Sequence, residues 1–266
     1  PELPAQSAVQ SQCQRGIHAG QCKTKCPVGK TSSVGLPRQP WPRLPMTAAL
    51  ETDGFALVTG VLAAPEVERL LTVLGPVNGA GRRGLLGVPE VAQLARSPRL
   101  LDLVRAHLPA EPMPVRAIYF DKSPETNWLV PWHQDLTLSM RERVDVPGFG
   151  PWSSKDGVPH VQPPVELLER MLAVRLHFDD ADGDNGAPRV LPGAHRVGRL
   201  SPERIQELRS SQPEQLCAAA AGDALLMRPL LLHASGRSTS ERHRRVLHLE
   251  YAAFELPPNL HWHELN

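Results

Sequence analysis

Cysteine is nearly missing from the body of this 266-residue chain: Cys13, Cys22 and Cys26 lie in the first thirty residues, and only Cys217 lies further on. The fold therefore does not rest on disulfides. The early three, with His18 among them, lack the paired C-x-x-C spacing of zinc ribbons, so an unfolded basic tail is a better reading than a zinc knuckle. Charge of one sign is also lacking. The 29 Lys and Arg are interspersed with 28 Asp and Glu for a formal net charge of +1, which leaves no electrostatic footprint for nucleic acid. No run approaches the roughly 18 apolar residues of a membrane span, and the N-terminus has no apolar signal core. A soluble cytoplasmic protein is expected, with neither nucleic acid nor membrane as partner; monomer and homodimer both stay open.

Hydrophobic residues make up 41% of the chain, enough for a full core. Residues 1–45 are rich in Pro, Gln, Gly, Ser and Lys without apolar period, and read as a disordered tail that need not be native coding sequence. From Met46 to the C-terminus one domain is expected. Its first half leans to helix: after a strand at Phe55 to Leu62, the spacing predicts helices over Ala64–Leu74, Val88–Ala95 and Ser97–Leu108, the last capped by Ser97. After Pro112 the pattern turns to short apolar runs: Pro114–Phe120, Asn127–Gln134, Met171–Phe178, Pro188–Leu191, Gln215–Ala220, Ala224–Met227, Leu230–His233 and Val246–Phe254. One helix from Ser201 interrupts them. Short strands at this rhythm point to a β-sandwich or barrel.

Two stretches carry chemistry. In Trp132-His133-Gln134-Asp135 the His and Asp stand two apart, so an extended strand sends both to one face. His233 could complete a two-His-one-carboxylate set, the arrangement that holds Fe(II) with open positions. Eleven residues beyond His233 stands Arg244, whose guanidinium can grip a carboxylate with two hydrogen bonds, and Ser235 lies where it could assist. Arg242 and Arg245 keep the choice of arginine open, since a one-residue slip turns a strand side chain to the other face.

The pattern His-x-Asp occurs a second time, at His177-Phe178-Asp179, and about half an occurrence is expected by chance, so the motif alone proves little. Separation discriminates. From Asp135 to His233 there are 98 positions, room for several sheet crossings; from Asp179 there are 54, much of them loop and helix. The earlier pair is preferred.

Trp132–Asp135, the turn Asp184–Arg196, Gly222–Pro229 and the segment from His233 to Arg245 together resemble the phytanoyl-CoA dioxygenase family of Fe(II)/2-oxoglutarate oxygenases, over roughly Thr47 onward. The resemblance implies a mainly β chain with flanking helices and a double-stranded β-helix core, that is, a cupin-like jelly roll. It implies His133, Asp135 and His233 as iron ligands, Arg244 as partner of the distal carboxylate of 2-oxoglutarate, and Ser235 as its assistant. A departure is Ala194, where serine is common before His195. The implied reaction couples decarboxylation of 2-oxoglutarate to succinate and CO2 with O2-dependent hydroxylation of a small molecule. Asp135 argues against the related halogenases, which lack that carboxylate.

Arg175 shares a strand face with His177 within an apolar run and is a candidate for the near carboxylate of 2-oxoglutarate or for an acidic substrate; Lys122, ending a strand before the triad, is a similar candidate. An exposed cation is the plain alternative for each. Asn127 and Trp128 are candidates for lining the pocket, and so are Phe149 and Trp152 in Arg141–Pro164, a segment too irregular for a strand and expected to be a lid. His195 reads either as a residue supporting the ligands from behind or as structural, and Asn185-Gly186 as a turn. Two other functions compete: a cupin-like metalloenzyme that uses no 2-oxoglutarate, and a non-catalytic β-barrel binding protein.

Overall fold

A computed structural model describes residues 46–77, 79 and 81–265. Residues 1–45, expected to be a disordered tail, and the early cysteines with them lie outside the described residues.

The apolar stripes of the first hundred residues become helices on one side of a sheet. After α1 (Met46–Thr52) and β1 (Phe55–Val58) comes α2 (Ala64–Leu74), which buries Val67, Leu70 and Leu74 at the expected three-to-four spacing, while Glu66 reaches back to the Ala63 N–H. β2 (Gly81–Arg82) is followed by α3 (Pro89–Ala95) and α4 (Pro98–Arg105), the latter capped by Ser97 Oγ, which accepts from the Leu100 N–H. Sequence period does not show α1 or the two-residue β2. Then come β3 (Met113–Lys122), β4 (Val130–His133), β5 (Leu138–Ser139), β6 (Trp152–Lys155), β7 (Val158–Val161), α5 (Val165–Leu168), β8 (Met171–His177) and β9 (Pro188–Val190). The chain ends with α6 (Pro202–Ser211, capped by Ser201), β10 (Gln215–Leu216), β11 (Ala224–Met227), β12 (His233–Ser235) and β13 (Arg244–Ala252).

Antiparallel pairing gives a six-stranded sheet β1-β11-β8-β13-β3-β2 and a four-stranded sheet β10-β9-β12-β4, the jelly-roll arrangement. Strand alternation splits the large sheet into two chemistries. Tyr119, Val174, Leu176, Leu247, Leu249 and Tyr251 face the helices and join Leu70, Leu74, Val91 and Leu100 in one core. The Tyr251 hydroxyl is satisfied there by donating to the Ala95 carbonyl at 2.9 Å. On the other face, register sets Lys122 opposite Arg244, Arg175 opposite His248, and Arg116 opposite Glu250. Lys122 Nζ then crosses to the small sheet, donating to Ser235 Oγ (3.0 Å) and the Gly236 carbonyl (2.5 Å).

The segment Arg141–Pro164 corrects the expectation of a strandless lid. It contains β6 and β7, which pair with each other, and β7 pairs in turn with β5 to make a three-stranded sheet. Asp156 (φ 52°) and Gly157 (φ 80°) make the two-residue turn, and an Asp-Gly pair with both residues at positive φ matches the right-handed twist of a hairpin. Elsewhere the strand expected from Asn127 starts at Val130, that from Gln215 stops at Leu216, and that expected at Leu230–His233 occupies His233–Ser235. Among the described residues no helix is long and apolar enough to cross a membrane.

Candidate metal centre and cosubstrate pocket

His133 is the last residue of β4, and its register partner is His233, the first of β12. The cross-strand pairing brings the two rings to 4.2 Å between centroids. His133 Nδ1 lies 2.8 Å from the Pro131 carbonyl and His233 Nδ1 lies 2.9 Å from the Leu231 carbonyl. A carbonyl can only accept, so each Nδ1 carries the proton and each Nε2 keeps its lone pair. Asp135 lies two residues beyond the end of β4, held by its N–H donating to the Pro229 carbonyl at 2.9 Å. Its carboxylate oxygens stand 3.5 Å from His133 Nε2 and 3.7 Å from His233 Nε2. The three ligand atoms lie within 4.8 Å of one another, near the roughly 3 Å separation of ligands at about 2.1 Å from one ion. Burial pushes the His233 imidazole down to about 4, leaving it neutral as a ligand must be. Burial also opposes ionisation of Asp135, but His233 and His133 outweigh it and hold the carboxyl well below its usual range.

Beside this set lies a concentration of cationic donors. Lys122 and Arg244 are buried, and Arg175 is partly buried. Burial, then Arg244 and Arg175, pushes Lys122 down to about 7; burial, then Arg175, takes Arg244 down to about 9. Nε and Nη1 of Arg244 and Nε of Arg175 have no hydrogen-bond partner among the described residues. Buried cations with unused donors are costly unless an anion meets them. Asp135 is the carboxylate that acts on Arg175, and it faces the two imidazoles. The site thus has a donor set for a divalent metal and, next to it, an anion-shaped deficit.

The second His-x-Asp is divided. Asp179 accepts from the Arg245 backbone N–H (2.8 Å), Nε (2.8 Å) and Nη2 (2.6 Å) on the outer side of the sheet. That pairing occupies Arg245 and separates it from Arg244. His177 stays buried on the inner face, with both ring nitrogens unpartnered among the described residues, and burial followed by Arg175 and Arg244 pushes it down to about 3. The Ser235 hydroxyl donates to the Gly186 carbonyl at 2.7 Å and accepts from Lys122. Gly186 is required there, because at φ 74° a Cβ would fall 2.5 Å from the Gly236 oxygen and 3.1 Å from Lys122 Nζ.

A model of the family described as Phytanoyl-CoA dioxygenase (PhyH) matches residues 77–246, which include all of these groups. The chain belongs to the phytanoyl-CoA dioxygenase family. It is an Fe(II)- and 2-oxoglutarate-dependent oxygenase. AviO1 from Streptomyces viridochromogenes Tue57 is 24% identical with a TM-score of 0.57, covering 80% of this chain and 96% of that one. EctD from S. alaskensis with 2-oxoglutarate and 5-hydroxyectoine is 19% identical with a TM-score of 0.60, covering 78% and 74%. HygX from Streptomyces hygroscopicus with nickel and 2-oxoglutarate is 21% identical with a TM-score of 0.56, covering 78% and 85%. These likenesses show a shared jelly-roll fold. No curated protein matches the chain by sequence.

Within this phytanoyl-CoA dioxygenase chain the remaining candidates separate. The Trp128 ring sits 5.1 Å from Lys122 Nζ, beside the cationic pocket. Asn127 clamps the β12–β13 loop, donating to the Ser238 carbonyl (2.7 Å) and accepting its N–H (2.8 Å). Phe149 and Trp152 pack on a second core of Leu138, Met140, Val161, Phe254 and Trp262. His195 is structural: its Nε2 meets the Glu51 carbonyl at 3.2 Å, and its ring fills the space a Cβ on Gly54 would need. Sequence reasoning missed a pocket beside Asp135, lined by Thr137, Met171, Pro229, His248 and Glu250 among others. The signal was available: His248 and Glu250 are alternate polar residues in an apolar strand, the pattern that marks Arg175 and His177.

Proposed function

We propose that this oxygenase hydroxylates a small molecule beside the metal set, with iron on His133, Asp135 and His233. Arg244 takes the distal carboxylate of 2-oxoglutarate with Lys122 beside it, and Arg175 faces the near carboxylate. The observation that carries the reading is the unused donor set of Arg244 and Arg175 next to three converging ligand atoms. A dicarboxylate supplies the missing charge at both ends. The iron supplies O2 activation coupled to decarboxylation, so that one oxygen atom ends in succinate and the other in the alcohol. The protein's own part is placement: the Pro131 and Leu231 carbonyls fix the two imidazoles, Ser235 aims Lys122, and the Asp179 pairing keeps Arg245 on the outer face.

The test is an assay of purified protein with Fe(II), O2 and 2-oxoglutarate, reading succinate with and without small-molecule substrates. Succinate release dependent on all three is expected. Substrate turnover without 2-oxoglutarate, unchanged in Arg244→Leu, would point instead to a cupin-like metalloenzyme.

A further inference from the structure

A chain of polar side chains leaves Arg175 and runs across the inner face of the large sheet, past Asp135. Arg175 Nη1 lies 3.2 Å from His248 Nδ1, His248 Nε2 lies 3.4 Å from Glu250 Oε1, and Glu250 Oε1 accepts from Arg116 Nη1 at 3.1 Å. Arg116 Nη2 continues to His160 Nε2 at 3.2 Å, and His160 Nδ1 reaches the Val158 carbonyl at 2.9 Å. His248, Arg116 and His160 are buried, and the Glu250 side chain is only 13% exposed.

The hydrogen-bond roles follow from the ends inward. Arginine can only donate, so His248 Nδ1 is an acceptor and its proton sits on Nε2, directed at Glu250. At the far end Val158 offers only a carbonyl, so His160 carries its proton on Nδ1 and accepts from Arg116 at Nε2. Each of these contacts thus joins one donor to one acceptor, and reversing either ring would set a donor against a donor. Arg175 is further confined by Phe120, whose ring centroid lies 5.8 Å from the guanidinium carbon and 6.2 Å from the His248 ring. With Nη1 held in this way, the Nε of Arg175, unpartnered among the described residues, is a donor available to a ligand.

We infer that His248 is a positioning residue for the cosubstrate: its neutral Nδ1 anchors Arg175, and Glu250, itself held by Arg116, fixes the ring that does so. The inference rests on the reading of Arg175 given above. It predicts that the acceptor at Nδ1 matters and the ring itself does not. An Asn side chain offers an acceptor near the place of Nδ1; a Gln side chain reaches the place of Nε2 and leaves Arg175 without a partner.

The experiment measures 2-oxoglutarate binding to the Fe(II) protein without oxygen, from its visible charge-transfer band, in wild type, His248→Asn and His248→Gln, with melting temperatures as a fold control. His248→Asn should bind within about 3-fold of wild type, and His248→Gln should weaken binding roughly 10- to 100-fold, the usual effect of losing a residue that orients a ligand-binding group. Equal affinity in the two variants would overturn the inference while the band itself upheld the reading of the site. Absence of the band in wild type would overturn that reading first. Nitrogen-15 NMR of the wild-type protein checks the same point without a variant: His248 should carry its proton on Nε2, and a proton on Nδ1 would contradict the proposal.

Discussion

His133-Gln134-Asp135 and His177-Phe178-Asp179 present the same pattern at the same place in a strand, since His133 ends β4 and His177 ends β8. Their neighbours differ. Opposite His133 the register places His233; opposite His177 it places Val246. Asp135 turns toward two imidazoles, whereas Asp179 is taken by three donors of Arg245. A ligand pair is thus defined less by its own spacing than by what the adjacent strand sets across from it. The second copy still shapes the site, because the Asp179 pairing fixes which of two adjacent arginines faces inward.

The comparison can be broken most severely at the carboxylates. Asp135→Ala should abolish stable Fe(II) binding in a metal titration, and Asp179→Asn should leave it intact; the reverse result would exchange the two motifs. Next in size, Arg244→Leu should weaken 2-oxoglutarate binding by about 2–5 kcal/mol, roughly 30- to 5,000-fold, as truncation of a buried charged partner does. Arg245→Leu should change it by no more than a few-fold, and equal losses would dissolve the distinction between the two arginines. A smaller effect concerns protons. Lys122 is depressed to about 7 by burial and its cationic neighbours, so above that pH it is mostly neutral in the free protein. A bound dianion favours its charged form, so 2-oxoglutarate binding at pH 8 should take up a proton, with affinity falling up to about 10-fold per pH unit above 7. Calorimetry in buffers of different ionisation enthalpy reads this, and Lys122→Met should remove it. Last, Asp179→Asn should cost about 1–3 kcal/mol of stability in denaturant unfolding, because a partly buried arginine loses its charged acceptor.

Much of this was legible in the sequence. Period alone places α2, α3 and α4, and the His-x-Asp with a distant His and Arg names the residues that converge. What escaped depends on pairing between distant strands. Nothing near Arg116 or His160 in sequence shows that register and packing join them to Glu250 in one network. The choice between Arg244 and Arg245 needed Asp179 across the sheet. The hairpin in Arg141–Pro164 was readable from Asp156-Gly157, but its proline- and glycine-rich surroundings outweighed the turn signal.

The central claim is that His133, Asp135 and His233 share one iron while Arg244 and its neighbours hold 2-oxoglutarate beside it. The most direct measurement is an anaerobic titration of the protein with Fe(II) and then 2-oxoglutarate, watching for the weak visible band of the chelate. The band should appear in wild type at one iron per chain and vanish in His133→Ala. Its absence from wild type, or its survival in His133→Ala, would contradict the account.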